Sequence, residues 1–212
     1  SHSSFKDKVS MSNLCQEITL PTTPIKGIDD PDGEIALCIL SAINVGAIGN
    51  LNELETLCDL SVRALDEIIE LQDYPVKAAE VSTKSRRSLG IGYIGLAHYL
   101  AKNGVKYSDP KAWELVDRLS EAFQYYLLRA SCDIAEEKGK CSAFDRTKYA
   151  DGLLPIDHYK KEVDEIVVHK QRMAWETLRK DILKYGLRHS TLSAQMPSES
   201  SSVVSNETNG IE

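Results

Sequence analysis

The chain has no apolar run approaching the roughly 18 residues that span a bilayer. Its first residues, Ser1-His2-Ser3-Ser4-Phe5-Lys6, also lack the apolar stretch of a signal peptide. Both absences predict a cytoplasmic protein without membrane contact. Cysteine is sparse and shows no paired pattern. Cys15, Cys38, Cys58, Cys132 and Cys141 are odd in number and none has CxxC spacing, which argues against a secreted disulfide framework or a zinc module. A basic excess is missing too: 25 Lys and Arg stand against 32 Asp and Glu, for a net charge of -7. That balance disfavours direct nucleic-acid binding, so any anionic ligand must be held locally.

What is present is a 212-residue chain with 42% hydrophobic content, enough for one sizeable core. One domain over residues 1–212 is the natural division, and no internal repeat is visible. The start at Ser1 and the stop at Asn209-Gly210-Ile211-Glu212 read as cuts through a larger protein.

Buried strands alternating with long helices predict an α/β, helix-rich architecture. Met11 to Leu20 mixes polar and apolar residues without helical periodicity before Pro21 and Pro24, so it reads as an extended loop or short strand. Glu34 to Leu40 is a short apolar run suited to a strand buried on both faces, with Cys38 inside it. Asn50 and Glu53 form a capping-box pattern ahead of Leu54, Leu57, Ser61, Leu65 and Ile68 at helical spacing. A second helix is expected from about Ser85 to Leu100, ending at Asn103-Gly104. A longer one is capped by Asp109-Pro110, carries Trp113, Val116, Leu119, Phe123, Tyr126 and Ala130, and ends near Gly139. A fourth holds Trp175, Leu178 and Ile182 and ends at Gly186. Ser190 to Ala194 reads as a strand, followed by the loop Pro197 to Ser202 and a helix beginning around Val203. Strand, hydroxyl-rich loop and helix start together make a plausible phosphate cradle.

Gly90-Ile91-Gly92-Tyr93-Ile94-Gly95 matches the glycine pattern of dinucleotide-binding folds, but no strand is expected before it. Close helix packing is the better reading. His98 and His158 lack ligand-type neighbours at metal spacing. Arg86-Arg87 and Lys160-Lys161 read as solvated charge runs, and Cys58, Cys132 and Cys141 as inert packing thiols. Asn13, Cys15 and Glu17 alternate, so in an extended segment they would share one side. An amide, a thiol and a carboxylate in one small volume suit hydrogen-atom or proton chemistry on a sugar hydroxyl, with the carboxylate as base. Spacing alone leaves an ordinary polar loop as an equal reading. A cysteine protease is disfavoured because no His lies in a base-bearing motif.

Asn13-Leu14-Cys15-Gln16-Glu17 resembles the finger-loop tip of ribonucleotide reductase large subunits. The similarity continues through Gly33-Glu34-Ile35-Ala36-Leu37-Cys38, Gln72-Asp73-Tyr74-Pro75, Arg86 to Gly92, Pro155-Ile156, Pro197 to Ser202 and Asn209-Gly210-Ile211-Glu212. It is nearest to the aerobic class I type of bacteria and phages, and it spans nearly the whole chain. The resemblance implies part of a ten-stranded α/β barrel around a central finger loop near 11–20, with a phosphate-binding loop near 197–202. It implies that Cys15 becomes the thiyl radical taking the 3′ hydrogen, and that Glu17 is base at the 3′ hydroxyl. Asn13 would bind substrate, and Cys38 would be half of the redox dithiol. Pro197, Ser198, Glu199, Ser200 and Ser201 would hold the substrate diphosphate; Ser200 stands where relatives often carry Thr, which keeps the hydroxyl.

By the same resemblance the segment binds no metal or cofactor itself. Its radical would come from a metal-containing small subunit and its electrons from thioredoxin or glutaredoxin. ATP and deoxynucleotide effectors would bind outside it, and its other partners would be the remaining segments of the large subunit, which carry the second redox cysteine and the radical-delivery tail. A split gene, an intein-bounded segment or a fragment would each account for this. The alternative is a non-catalytic helical interaction module related to the reductase; a nicotinamide-dependent dehydrogenase is a distant third.

Overall fold

The computed structural model describes residues 4–9, 12–166 and 170–211. A short strand, β1 (Ile39–Asn44), leads into helix α1 (Glu53–Leu71) and helix α2 (Lys77–Arg86) before strand β2 (Leu89–Ile94). Helices α3 (Leu96–Lys102), α4 (Pro110–Lys138) and α5 (Trp175–Tyr185) follow, with short 3-10 turns between α4 and α5, and α6 (Glu199–Val204) closes the series.

β1 and β2 are parallel and in register from Ile39 opposite Leu89 to Asn44 opposite Ile94. Parallel neighbours need a crossover, and α1 and α2 supply it. The far edge of β2 receives the segment 191–194, through a parallel bridge between Ile91 and Ser193 and a bond from the Ala194 N–H to the Ile91 carbonyl of 3.1 Å. This is the α/β, helix-rich arrangement expected. Among the described residues nothing pairs with the outer edge of β1, where Leu40 is 45% exposed. Glu34 to Leu40 is therefore not a strand buried on both faces: the strand starts at Ile39, and Cys38, just before it, is half-buried.

α1 starts as its sequence suggests, with the Glu53 carboxylate accepting from the Asn50 N–H at 3.1 Å and the Asn50 side-chain carbonyl accepting from the Asn52 N–H at 2.9 Å. Its buried stripe is Leu54, Cys58, Val62, Leu65, Asp66 and Ile69, packed against α4. The expected stripe drifts by one residue at its end, since Ile68 is exposed and Ile69 is enclosed. α4 runs as expected from Pro110 to the Gly139 cap. α5 likewise ends at Gly186, whose φ of 82° a side chain would disfavour.

The helix expected over 85–100 does not form. Leu89–Ile94 is the central strand of the sheet, and its glycines exist for sheet contacts rather than helix packing. A Cβ on Gly90 would meet Cys38 Sγ at 2.7 Å, and one on Gly92 would meet the Ala194 carbonyl at 2.5 Å. Close approach was the right reason on the wrong element.

Arg86 and Arg87 are not a solvated run. They are 1% and 3% exposed, because each has buried carboxylates waiting for it from distant sequence. Arg86 Nη2 donates to Glu34 at 2.8 Å and its Nη1 to Asp7 at 2.9 Å. Arg87, in a left-handed conformation at the end of α2, donates through Nε to Asp66 Oδ1 at 2.8 Å and also pairs with Glu70. Fully buried His189 completes this second network: its Nε2 lies 3.1 Å from Asp66 Oδ1 and its Nδ1 2.9 Å from Ser131 Oγ. The consistent assignment is a neutral ring with Nε2–H donating to Asp66 and Nδ1 accepting from the Ser131 hydroxyl, whose oxygen accepts the His189 N–H at 3.1 Å. Burial drives the His189 pKa down. Burial alone would raise the Asp66 pKa, but bonds from His189 and Arg87 outweigh it and keep the carboxyl ionised.

Candidate active site

The finger-loop region is a tight turn rather than an extended strand. The Asn13 N–H donates to the Ile18 carbonyl at 3.2 Å, the Asn13 side-chain carbonyl accepts the Ile18 N–H at 3.2 Å, and Gln16 sits at φ 62°. The side chain of Asn13 thus builds the turn that presents Cys15. Leu14 and Cys15 project at its tip, with Leu14 97% exposed. The alternation expected to put residues 13, 15 and 17 on one side fails, since the turn carries Cys15 outward and Glu17 back toward the body of the protein.

There Glu17 meets Cys38. The Glu17 Oε2 atom is buried without a hydrogen-bond partner among the described residues. The Cys38 thiol pKa is pushed up to about 12, first by burial and then by the Glu17 charge. Cys38 therefore holds its proton at neutral pH, beside a carboxylate with an unspent lone pair. An unsatisfied buried carboxylate oxygen costs stability and is retained where a ligand or a reaction uses it.

Cys38 faces a cleft of about 390 Å³ lined also by Ser12, Asn13, Ile18, Thr23 and Glu34, among others. One wall is fixed by Glu34, which accepts from Thr23 Oγ1 at 3.1 Å and from Arg86 at 2.8 Å. None of the other cysteines lines the cleft. Cys58, Cys132 and Cys141 are buried elsewhere, and burial raises their thiols to about 12, 11 and 11.

The Pro197 to Ser202 region is a separate feature beyond the carboxyl end of 191–194. Its helix starts at Glu199, not near Val203, so Val203 lies in the last turn. Glu199, Ser200 and Ser201 are exposed at the first turn, whose N–H groups lack partners within the helix. Ser198 differs from them. It is 4% exposed, its N–H is taken by Asn209 Oδ1 at 3.1 Å, and its hydroxyl donates to the Met196 carbonyl at 3.2 Å. The structure thus brings Asn13 and Cys38 to one cleft with Glu17 close enough for its charge to act on the Cys38 thiol, leaves Cys15 at the exposed tip, and puts Pro197 to Ser201 on another part of the sheet's rim.

A family model described as "Ribonucleotide reductase, barrel domain" matches residues 1–212. The chain belongs to the ribonucleotide reductase barrel-domain family. Among curated relatives, the ribonucleoside-diphosphate reductase subunit alpha of Buchnera aphidicola subsp. Schizaphis graminum is 59% identical over 215 residues. That of Haemophilus influenzae is 57% identical over 214 residues, and the ribonucleoside-diphosphate reductase 1 subunit alpha of Escherichia coli 54% over 214. Each alignment covers all of this chain and 28% of the relative, so the chain spans under a third of the proteins it matches. Membership in this barrel family agrees with the partial parallel sheet of β1 and β2, to which the 191–194 segment is bridged. Sequence reading missed Gln195 and Glu207, and gave Asn209 no role although it lies in a segment of the resemblance; all three bond around the hydroxyl-rich loop of this reductase-family segment. Their only local signal was a polar residue at each flank of that loop.

Proposed function

We propose that this chain is the catalytic segment of a ribonucleoside-diphosphate reductase, converting ribonucleoside diphosphates to 2′-deoxyribonucleoside diphosphates within a larger assembly. The observation that carries the reading is the protonated Cys38 thiol in a cleft, within reach of the charge of Glu17, whose buried Oε2 has no partner among the described residues, and next in sequence to the turn that carries Cys15.

Cys15, as a thiyl radical, takes the 3′ hydrogen atom of the ribose, and Glu17 accepts the proton of the 3′ hydroxyl. The 2′ hydroxyl leaves as water with the proton that Glu17 accepted, giving a 3′-keto sugar radical two electrons and two protons short of the 3′ deoxy radical. Cys38 and a second thiol from outside this chain supply two electrons and two protons and become a disulfide, and Cys15 returns its hydrogen atom to the 3′ carbon. Asn13 holds the turn and offers its amide to the substrate. Pro197, Ser198, Glu199, Ser200 and Ser201 form the diphosphate loop, with Ser198 shaping it from within and the exposed residues meeting the oxygens. The radical comes from a metal-containing small subunit, and thioredoxin or glutaredoxin reduces the disulfide. Cys15→Ser in the assembled enzyme tests this: conversion of labelled substrate is expected to vanish while diphosphate binding persists, and retained conversion contradicts it.

A further inference from the structure

We propose that Gln195 and Asn209 are positioning residues that set the Pro197 to Ser202 loop from the segments before and after it; this rests on reading that loop as the substrate diphosphate site. Backbone pairing between β2 and the incoming segment reaches only Ala194. At the next residue the Gln195 side chain takes over. Its Nε2 donates to the Tyr93 carbonyl at 2.8 Å, and its Oε1 accepts the Tyr93 N–H at 3.4 Å. A primary amide carries a donor and an acceptor in the geometry of a peptide group, so Gln195 extends the pairing past the point where the chain turns away. Gly210, buried at φ 49°, packs over it: a Cβ there would lie 3.8 Å from Gln195 Nε2.

From the segment beyond the loop Asn209 reaches back, its Oδ1 accepting the Ser198 N–H at 3.1 Å across eleven positions. The return segment is anchored in turn. Thr208 accepts the Gly95 N–H at 2.9 Å, and the Glu207 carboxylate lies 2.9 Å from His98 Nδ1. Asn209 therefore connects Ser198, the second residue of the loop, to a segment fixed on the sheet. Gln195 uses both amide ends, whereas among the described residues only the acceptor of Asn209 is engaged, and this asymmetry predicts opposite responses to isosteric charge substitution.

The test is steady-state kinetics of the complete large subunit with its small subunit, varying a ribonucleoside diphosphate. Gln195→Leu, Gln195→Glu and Asn209→Ala are expected to raise KM about five- to tenfold with kcat within about twofold of the parent, the loss of roughly one hydrogen bond's worth of positioning. Asn209→Asp, which keeps the acceptor, is expected to stay within about twofold in both. A general loss of folding would instead lower active enzyme at unchanged KM and would not be rescued by Asp, and that pattern overturns the proposal. The double variant Ser200→Ala, Ser201→Ala is run alongside. If it raises KM while the Gln195 and Asn209 variants do not, the positioning roles fall and the loop reading stands; if it too leaves KM unchanged, the loop reading falls and the proposal with it. Should Gln195→Leu or Asn209→Ala prove insoluble, the isosteric pair decides alone, and parent-like KM in Gln195→Glu overturns the proposal.

Discussion

At the scale of single residues, the proposed mechanism assigns the base to Glu17 and the reductant to Cys38. Glu17→Gln keeps shape and removes the base, so turnover in the assembled enzyme is expected to drop by about 10²- to 10⁴-fold with little loss of diphosphate binding, measured by equilibrium dialysis beside the turnover assay. Parent-like turnover would remove Glu17 from the mechanism. Cys38→Ala should block repeated turnover, because no disulfide can form and be reduced again; sustained conversion by that variant contradicts the assignment. Cys58→Ala, Cys132→Ala and Cys141→Ala should keep most activity and cost about 1 kcal/mol of stability each, since these thiols only pack. The thiols could be sorted in the sequence only through the family resemblance. Burial depends on contacts made by distant segments, and spacing placed Cys15 beside Glu17 in an extended chain where the protein makes a turn at Gln16.

At the scale of elements, the Asp66, Arg87 and His189 network joins α1, the end of α2 and the segment that enters the sheet. Removing one member strands a buried charge, so Arg87→Ala is expected to destabilise this region by about 3–5 kcal/mol. The pH dependence has a definite sign. The unfolded chain binds a proton at His189 below its ordinary value of 6.5, and the folded protein refuses it, so stability is full above that pH and falls as the solution is acidified below it. Asp66, held below its ordinary 3.8, adds a loss in the same direction at lower pH. Hydrogen-exchange protection of α1 and β2 in the large subunit, corrected for intrinsic rates, should therefore decline between about pH 7.5 and 5.5, and His189→Gln should remove that decline. Protection that holds or rises on acidification contradicts the network's assignment.

Elements with their own local signals were legible: the capped starts of α1 and α4 and the glycine ends of α4 and α5. Leu89–Ile94 was not, because its glycines and flanking Ala97 and Leu100 mimic a helical face and only contact with Cys38 and Ala194 explains them. Arg86 and Arg87 looked solvated because their carboxylate partners lie 52 and 21 residues away.

At the scale of the whole molecule, β1 has a bare outer edge among the described residues, and Leu40 within it and Leu37 just before it are exposed. An unpaired apolar edge recruits other strands. The isolated chain is expected to self-associate at micromolar concentration in sedimentation experiments, and a well-behaved monomer would show that the edge is protected by other means. The same incompleteness governs chemistry, because only Cys38 among the described cysteines lines the cleft and a dithiol needs two. The decisive measurement is conversion of a labelled ribonucleoside diphosphate by this chain alone, and by this chain assembled with the remaining large-subunit segments, the small subunit and a thiol reductant. Deoxynucleotide is expected only from the full assembly; product from the chain alone, or none from a demonstrably assembled mixture, would contradict the account.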